Sequence, residues 1–202
     1  MALVMAVQAS GNRSLSYKEY TLFLVSTLPV MAGATIAPAL PEIAKAFPEE
    51  SELSIQLILT ITALFTAIGS LFVGNLIDKF GRKKPLIVST ILFGFAGSSG
   101  LYLNSIDAIL VSRAILGLSV AGVMTISITL IGDYYSGEFR NKVIGLQATI
   151  MTFGGVLFIF FGGVLAEIDW HLPFTLFLLA FIFIFGVISK IEEPQKEESA
   201  TL

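Results

Sequence analysis

The sequence predicts an all-α integral membrane protein, a bundle of six transmembrane helices. Three observations lead there. The 202-residue chain is 55% hydrophobic and 13% charged, against about 25% charged in soluble domains. Its apolar residues gather in six runs, each about the length that carries a helix across a bilayer, roughly 20 residues. None of the runs alternates as a barrel strand would, and irregular backbone cannot face lipid, so helices are the expected form.

The six runs are Tyr20–Leu40, Leu53–Val73, Pro85–Leu103, Ala108–Ile131, Val143–Ala166 and Leu172–Ser189. The first is interrupted by Pro29, Gly33 and Pro38, which bend a helix. The second and third flank Gly74–Lys84, which holds five charges and two glycines and reads as a short basic loop. The fourth contains Arg113, the one charge well inside a run. The short connections make successive helices antiparallel neighbours. Gly69, Gly74, Gly94, Gly97 and Gly100 are expected to let helices approach closely. Residues 1–19 read as a short cytoplasmic tail without the basic start of a signal peptide. Residues 20–189 form the bundle, and residues 190–202 a polar, disordered cytoplasmic tail.

Basic residues set the orientation. With both termini on one side, that side carries Arg13, Lys18, Lys79, Arg82, Lys83, Lys84, Arg140, Lys142, Lys190 and Lys196, and the other only Lys45. Cytoplasmic loops carry the excess of Lys and Arg, so a multi-pass cell-membrane protein with both termini in the cytoplasm is expected. The acidic stretch from Glu42 to Glu52 suits the outer side. Cysteine is absent, which removes disulfide and thiol chemistry. The single histidine, His171, leaves no His-cluster metal site. There is no nucleophile–base pair and no P-loop, so an enzyme is not expected. No cofactor or metal is expected, and nucleic acid is not among the expected partners.

The stretch GNLIDKFGRKK has the spacing G-x-L-x-D-x-x-G-R-[KR]-[KR]. With it, the chain resembles the amino-terminal six-helix half of a major facilitator superfamily transporter. Gly74, Leu76, Asp78, Gly81, Arg82, Lys83 and Lys84 fill the pattern. The run from Leu110 to Gly117 resembles the family's L-x-x-x-R-x-x-x-G element through Arg113 and Gly117. GDYYSGEFRNKVIG, at the end of the fourth run, is similar to the family's acidic E-x-R-like element. In the fifth run, Gly154, Gly155, Gly162 and Gly163, followed by Trp170 and Phe174, resemble a glycine-rich antiporter signature. The chain departs from it with Phe158-Ile159 where Gly-Pro is usual and His171 where Arg is usual. Trp170 and His171 equally suit a membrane interface.

The resemblance implies a bundle of two inverted three-helix repeats, half of a twelve-helix transporter. It implies secondary transport of a small amphiphilic solute, drug or metabolite efflux coupled to protons, by alternating access. Gly74, Asp78, Gly81, Arg82, Lys83 and Asp133 would form a conformational latch, with Asp78 and Arg82 as its pair and Asp133 a third member. Glu138 and Arg140 would repeat the theme or stand as solvated loop charges. Arg113 and Gly117 would serve coupling or substrate, although Arg113 could instead snorkel. Thr27, Thr35, Ser119 and Thr125, with Gln147 and Thr152, would face the cavity. The bends in the first helix would line the pathway or simply be repaired by neighbours. The implied partners are the solute, protons, the lipid bilayer and a second six-helix half, as a separate chain, a missing region or a second copy. The alternative is a truncated or accessory membrane protein without transport activity of its own.

Overall fold

A computed structural model describes residues 16–194. Arg13 and Lys196 lie outside the described residues, as does most of each predicted tail. Six helical spans are long and apolar enough to cross a membrane: Tyr17–Ala46, Glu52–Phe80, Lys83–Leu101, Ile106–Tyr134, Gly137–Ile168 and Leu172–Lys190. The described ends emerge on one face. That basic face holds Lys18, Lys79, Arg82, Lys83, Lys84, Arg140, Lys142 and Lys190. Lys45 is the one basic residue at the opposite ends among the described residues.

The first span is a chain of short pieces. Helices Tyr17–Ser26 and Leu28–Ala34 are followed by a 3-10 turn at Ala37–Ala39 and a helix at Leu40–Ala46. Pro29, Pro38 and Pro41 each sit near the start of a piece, where a missing N–H costs least. The Thr27 hydroxyl donates to the Leu24 carbonyl at 2.7 Å, covering one carbonyl at the first break. Such repair is what allows a broken helix to persist in lipid.

The spans interleave as two triplets. The second span packs most extensively on the fourth, and the fifth packs along the first. Thus the middle helix of each triplet lies on the first helix of the other. The third and sixth spans pack together, and the first meets the fourth. This exchange is the expected pairing for two inverted three-helix repeats.

Close backbone approach makes the pairing possible. At Gly117 in the fourth span, an added Cβ would collide with the Thr62 carbonyl and come within 2.8 Å of Phe65 Cβ. This proximity lets the Thr62 hydroxyl reach the Arg113 carbonyl at 3.3 Å and the Thr66 hydroxyl reach the Gly117 carbonyl at 3.1 Å. In the other pair, Gly162 of the fifth span lies against the Thr35 carbonyl, and a Cβ added at Gly155 would come within 2.9 Å of Val30. The Gln147 amide donates to the Ser26 hydroxyl at 2.6 Å. Gly94, Gly97 and Gly100 line the third span against Phe181, Phe177 and Phe174 of the sixth. Gly74 is the exception among the expected contact glycines, because an added Cβ there meets nothing within 4 Å.

Two expectations are corrected here. Gly74–Lys84 is mostly helix: the second span runs through Phe80 and the third begins at Lys83, so only Gly81 and Arg82 connect them. The carboxyl-terminal segment is also ordered as far as it is described. Lys190 ends the sixth span, Ile191 is buried, and residues 191–194 fold back over the basic face.

Gly117→Ala should destabilise the bundle by about 1–3 kcal/mol, the usual cost of forcing an extra group into a packed contact. Gly74→Ala should be neutral or slightly stabilising, since Ala is the better helix former by up to about 1 kcal/mol. Unfolding in detergent for the two variants side by side checks this. Equal losses would overturn the assignment of Gly117 to the helix contact.

Candidate functional site

The basic face carries a clasp built from the connection between the second and third spans. Gly81 has φ +80°, a region open to glycine and strained for other residues. A Cβ there would also collide with the Glu193 carboxylate. That carboxylate accepts from the Arg82 N–H at 2.6 Å and the Lys83 N–H at 2.8 Å. It therefore caps the start of the third span, where free amides and the helix dipole favour an anion.

The side chains complete the arrangement. Arg82 Nε donates to Asp133 Oδ2 at 2.9 Å, tying the connection to the end of the fourth span. Lys83 Nζ donates to the Ile188 carbonyl at 2.9 Å, near the end of the sixth. Lys18 pairs with Glu192 at 2.6 Å, and the Tyr134 hydroxyl donates to the Glu192 carbonyl. The Lys18 ammonium holds the Glu192 carboxyl below its ordinary range. Lys18, Arg82 and Lys83 belong to the first triplet. Asp133, Ile188 and Glu193 belong to the second or follow it, as does Glu192. Each of these bonds, apart from the Tyr134 contact within the second triplet, therefore crosses between the triplets.

The latch differs from its sequence reading in its pairing. Asp78 is exposed and makes no ion pair among the described residues, and Arg82 engages Asp133 instead. Glu138 pairs with Lys142 at 3.1 Å, while Arg140 lies against Gly132. The capping carboxylate of Glu193 and the ion-paired one of Glu192 were missed. Their one sequence signal was an acidic pair directly after the last apolar run.

Arg113 lies in the fourth span with 1% of its surface exposed, so it does not snorkel. Its guanidinium sits 4.9 Å from the Phe174 ring centroid and 5.1 Å from that of Phe177. Its three nitrogens have no hydrogen-bond partner among the described residues. An Arg at mid-bilayer costs about 2.5–3.5 kcal/mol on insertion scales, and less toward an interface, as for Arg113 about two turns from the end of its span. A desolvated cation–π contact returns about 2 kcal/mol, so the two rings offset much of that cost. Gly97 and Gly100 leave the space those rings occupy.

The polar cavity candidates are dispersed. Thr27, Thr35, Ser119 and Gln147 are buried, Thr125 is half-buried and Thr152 is exposed. The Ser119 hydroxyl donates to the Leu116 carbonyl and that of Thr152 to the Ala148 carbonyl. The Thr35 hydroxyl has no partner among the described residues. Ser119 alone of the set lines the groove of about 540 Å³ between the second, third and fourth spans. At the opposite face, Trp170 packs on His171 and Phe47, as an interfacial cluster does. Among the described residues no group of three His, Asp or Glu side chains is placed to hold a metal ion.

Comparison with known proteins adds the following. A family model described as Major Facilitator Superfamily matches residues 22–201. The niacin transporter NiaP of Acinetobacter baylyi is 27% identical over 139 residues, 67% of this chain and 31% of that protein. The bacillibactin exporter of Bacillus subtilis is 29% identical over 163 residues, 76% of this chain and 40% of its own length. The quinolone resistance protein NorB of Staphylococcus aureus is 31% identical over 128 residues, 62% and 27% of the two chains. The chain thus spans less than half the length of these relatives. Among solved structures, the proton:xylose symporter XylE bound to 6-bromo-6-deoxy-D-glucose superposes with a TM-score of 0.77 at 17% identity, over 88% of this chain and 45% of that one. The inward open conformation of XylE from E. coli gives 0.74 at 16%, over 87% and 48%. At such identity the likeness concerns the fold.

Glu193→Ala should cost about 1 kcal/mol in detergent unfolding, the usual loss on removing a helix-capping group, and Glu193→Gln should cost less. Equal stability of all three proteins would overturn the cap. The depressed Glu192 value also fixes a pH dependence. Its contribution is complete above the ordinary glutamate range and is lost as pH falls through the lower folded value. Protection of residues 191–193 from hydrogen exchange should fall over that acid window in the native chain and not in Glu192→Gln.

Proposed function

The chain belongs to the major facilitator superfamily, and from that premise we propose that it forms one six-span half of a secondary transporter. In this reading it exports a small amphiphilic solute in exchange for protons, by alternating access. The observation that carries the reading is the interleaved six-span fold, which matches slightly under half of a solved two-bundle transporter. The second and fifth spans leave most of their apolar surface uncovered within this half, a surface that lipid or a further bundle would cover. Only 22% and 17% of the windows on those spans are buried. Two relatives named as an exporter and a resistance protein support efflux. The few, mostly uncharged polar side chains among the cavity candidates suit an amphiphile better than a sugar.

The clasp has a mechanical part in this proposal. Alternating access needs each half to rock as a body. Bonds that cross between the triplets on the basic face would hold this half together while it rocks. Asp78, exposed and unpaired, is the latch residue free to meet the second half. That half is a separate chain, a further region or a second copy. Arg113, the intramembrane charge of this half, is enclosed by the rings of Phe174 and Phe177, so a part in coupling or solute binding requires those rings to move aside. The concentration of Lys and Arg supports a cell-membrane orientation with the basic face in the cytoplasm.

Proteoliposomes test the proposal. A proton gradient should drive flux of a fluoroquinolone or a similar amphiphile when this chain is present with a second half. Asp78→Asn should reduce that flux about tenfold, a loss of roughly 1.4 kcal/mol, without changing unfolding in detergent. Undiminished flux in Asp78→Asn would remove Asp78 from the latch. Absence of gradient-driven flux in any pairing would overturn the transport reading.

A further inference from the structure

Although the second and third spans are consecutive, they barely touch. Both pack on the fourth instead, and they diverge from the Gly81–Arg82 connection. The gap between them is a groove of about 540 Å³, within the roughly 300–1,000 Å³ of pockets that enclose small ligands. On the second span its lining runs from Gly69 to Phe80. That is twelve residues, about 16 Å from the first to the last at 1.5 Å per residue. Half of a hydrocarbon core of about 30 Å is about 15 Å, so the groove is as deep as one leaflet.

The lining is apolar throughout except at three side chains. Ser89 and Ser119 lie deeper on the floor, and Lys84 stands at the mouth on the basic face. Gly122 admits the Ser89 hydroxyl to the floor, where a Cβ would strike it. Arg82 and Lys83 are engaged in the clasp. Lys84 makes no ion pair or hydrogen bond among the described residues. Lys79 lies over the ring of Phe80, a lining residue, at 5.3 Å, and adds a second cation beside the mouth. Other carboxylates of that face are engaged: Asp133 by Arg82, Glu192 by Lys18, Glu138 by Lys142, and Glu193 by the amides of Arg82 and Lys83. Asp78 lies about half a turn around the helix from the lining residues Leu76 and Phe80.

We propose that this groove binds an anionic phospholipid of the leaflet at the basic face, one acyl chain lying between the second and third spans and the phosphate meeting Lys84. A depth of one leaflet fits an acyl chain anchored at the interface. Free cations at the mouth select an anionic headgroup over a zwitterionic one. The site does not depend on whether the chain transports a solute.

Native mass spectrometry of the whole chain in detergent, titrated with phosphatidylglycerol or phosphatidylcholine, tests the site. The native chain should retain one phosphatidylglycerol in preference to phosphatidylcholine. Lys84→Gln should weaken that binding about fivefold, the worth of one basic residue near an anionic membrane surface, and Lys142→Gln should leave it unchanged. Val88→Trp, at an exposed lining position, should abolish retention without lowering unfolding stability. Glycerol phosphate alone should not compete. Equal binding of the two lipids, equal losses in Lys84→Gln and Lys142→Gln, or competition by glycerol phosphate would each overturn the proposal. The chain lacks cysteine, so Val88→Cys gives a single attachment point. A photo-crosslinker there should capture lipid in vesicles containing phosphatidylglycerol. Capture of a second copy or another protein in its place would assign the groove to a helix and overturn the lipid site.

Discussion

Inside lipid, helices gain nothing by hiding apolar surface from one another, so the bundle depends on how closely its backbones approach. The chain meets that constraint at a few glycines. Gly117 lies on the Thr62 carbonyl and Gly162 on the Thr35 carbonyl. These contacts join the second span to the fourth and the fifth to the first, the pairings that interleave the triplets. Only at such separations can the hydroxyls of Thr62 and Thr66 reach carbonyls on the neighbouring helix. The same economy of space explains the buried arginine. The glycine row of the third span admits the phenylalanines of the sixth, and their faces lie against Arg113.

The basic face follows different physics. There the helix ends expose amides and carbonyls that their own helices cannot satisfy. The chain answers with charged groups from distant positions: Glu193 caps the third span and Lys83 caps the sixth. Surface ion pairs such as Arg82–Asp133 contribute little individually, about 0–1 kcal/mol. The clasp matters through its connectivity, because its ion pairs and both caps link one triplet to the other. Interleaved packing and cross-triplet caps together make six helices a single body.

Legibility varied with the range of the interaction. Positions governed by local composition were plain: the six spans, the basic face and the bend at Pro29. Gly117 and Arg113 were visible as unusual residues in a span, but their neighbours were not. The family resemblance made Asp78 and Arg82 the latch pair, with Asp133 a third member. Arg82 instead reaches Asp133, 51 positions away, and Asp78 remains on the exposed side of its helix. Gly74 and Gly97 read alike as contact glycines, yet one faces open space and the other the ring of Phe177.

By itself the sequence determined the class, the number of spans and the side on which the basic charge gathers. Hydropathy and charge placement are properties of single segments and of the solvent around them, so they are readable along the chain. The tertiary structure alone decided which glycines carry contacts, which carboxylate answers Arg82, and that the stretch after the last span caps the third. It also left a leaflet-deep groove beside Lys84. Those outcomes depend on which distant segments meet, and a chain of helices with similar apolar surfaces does not state its partners in its local pattern.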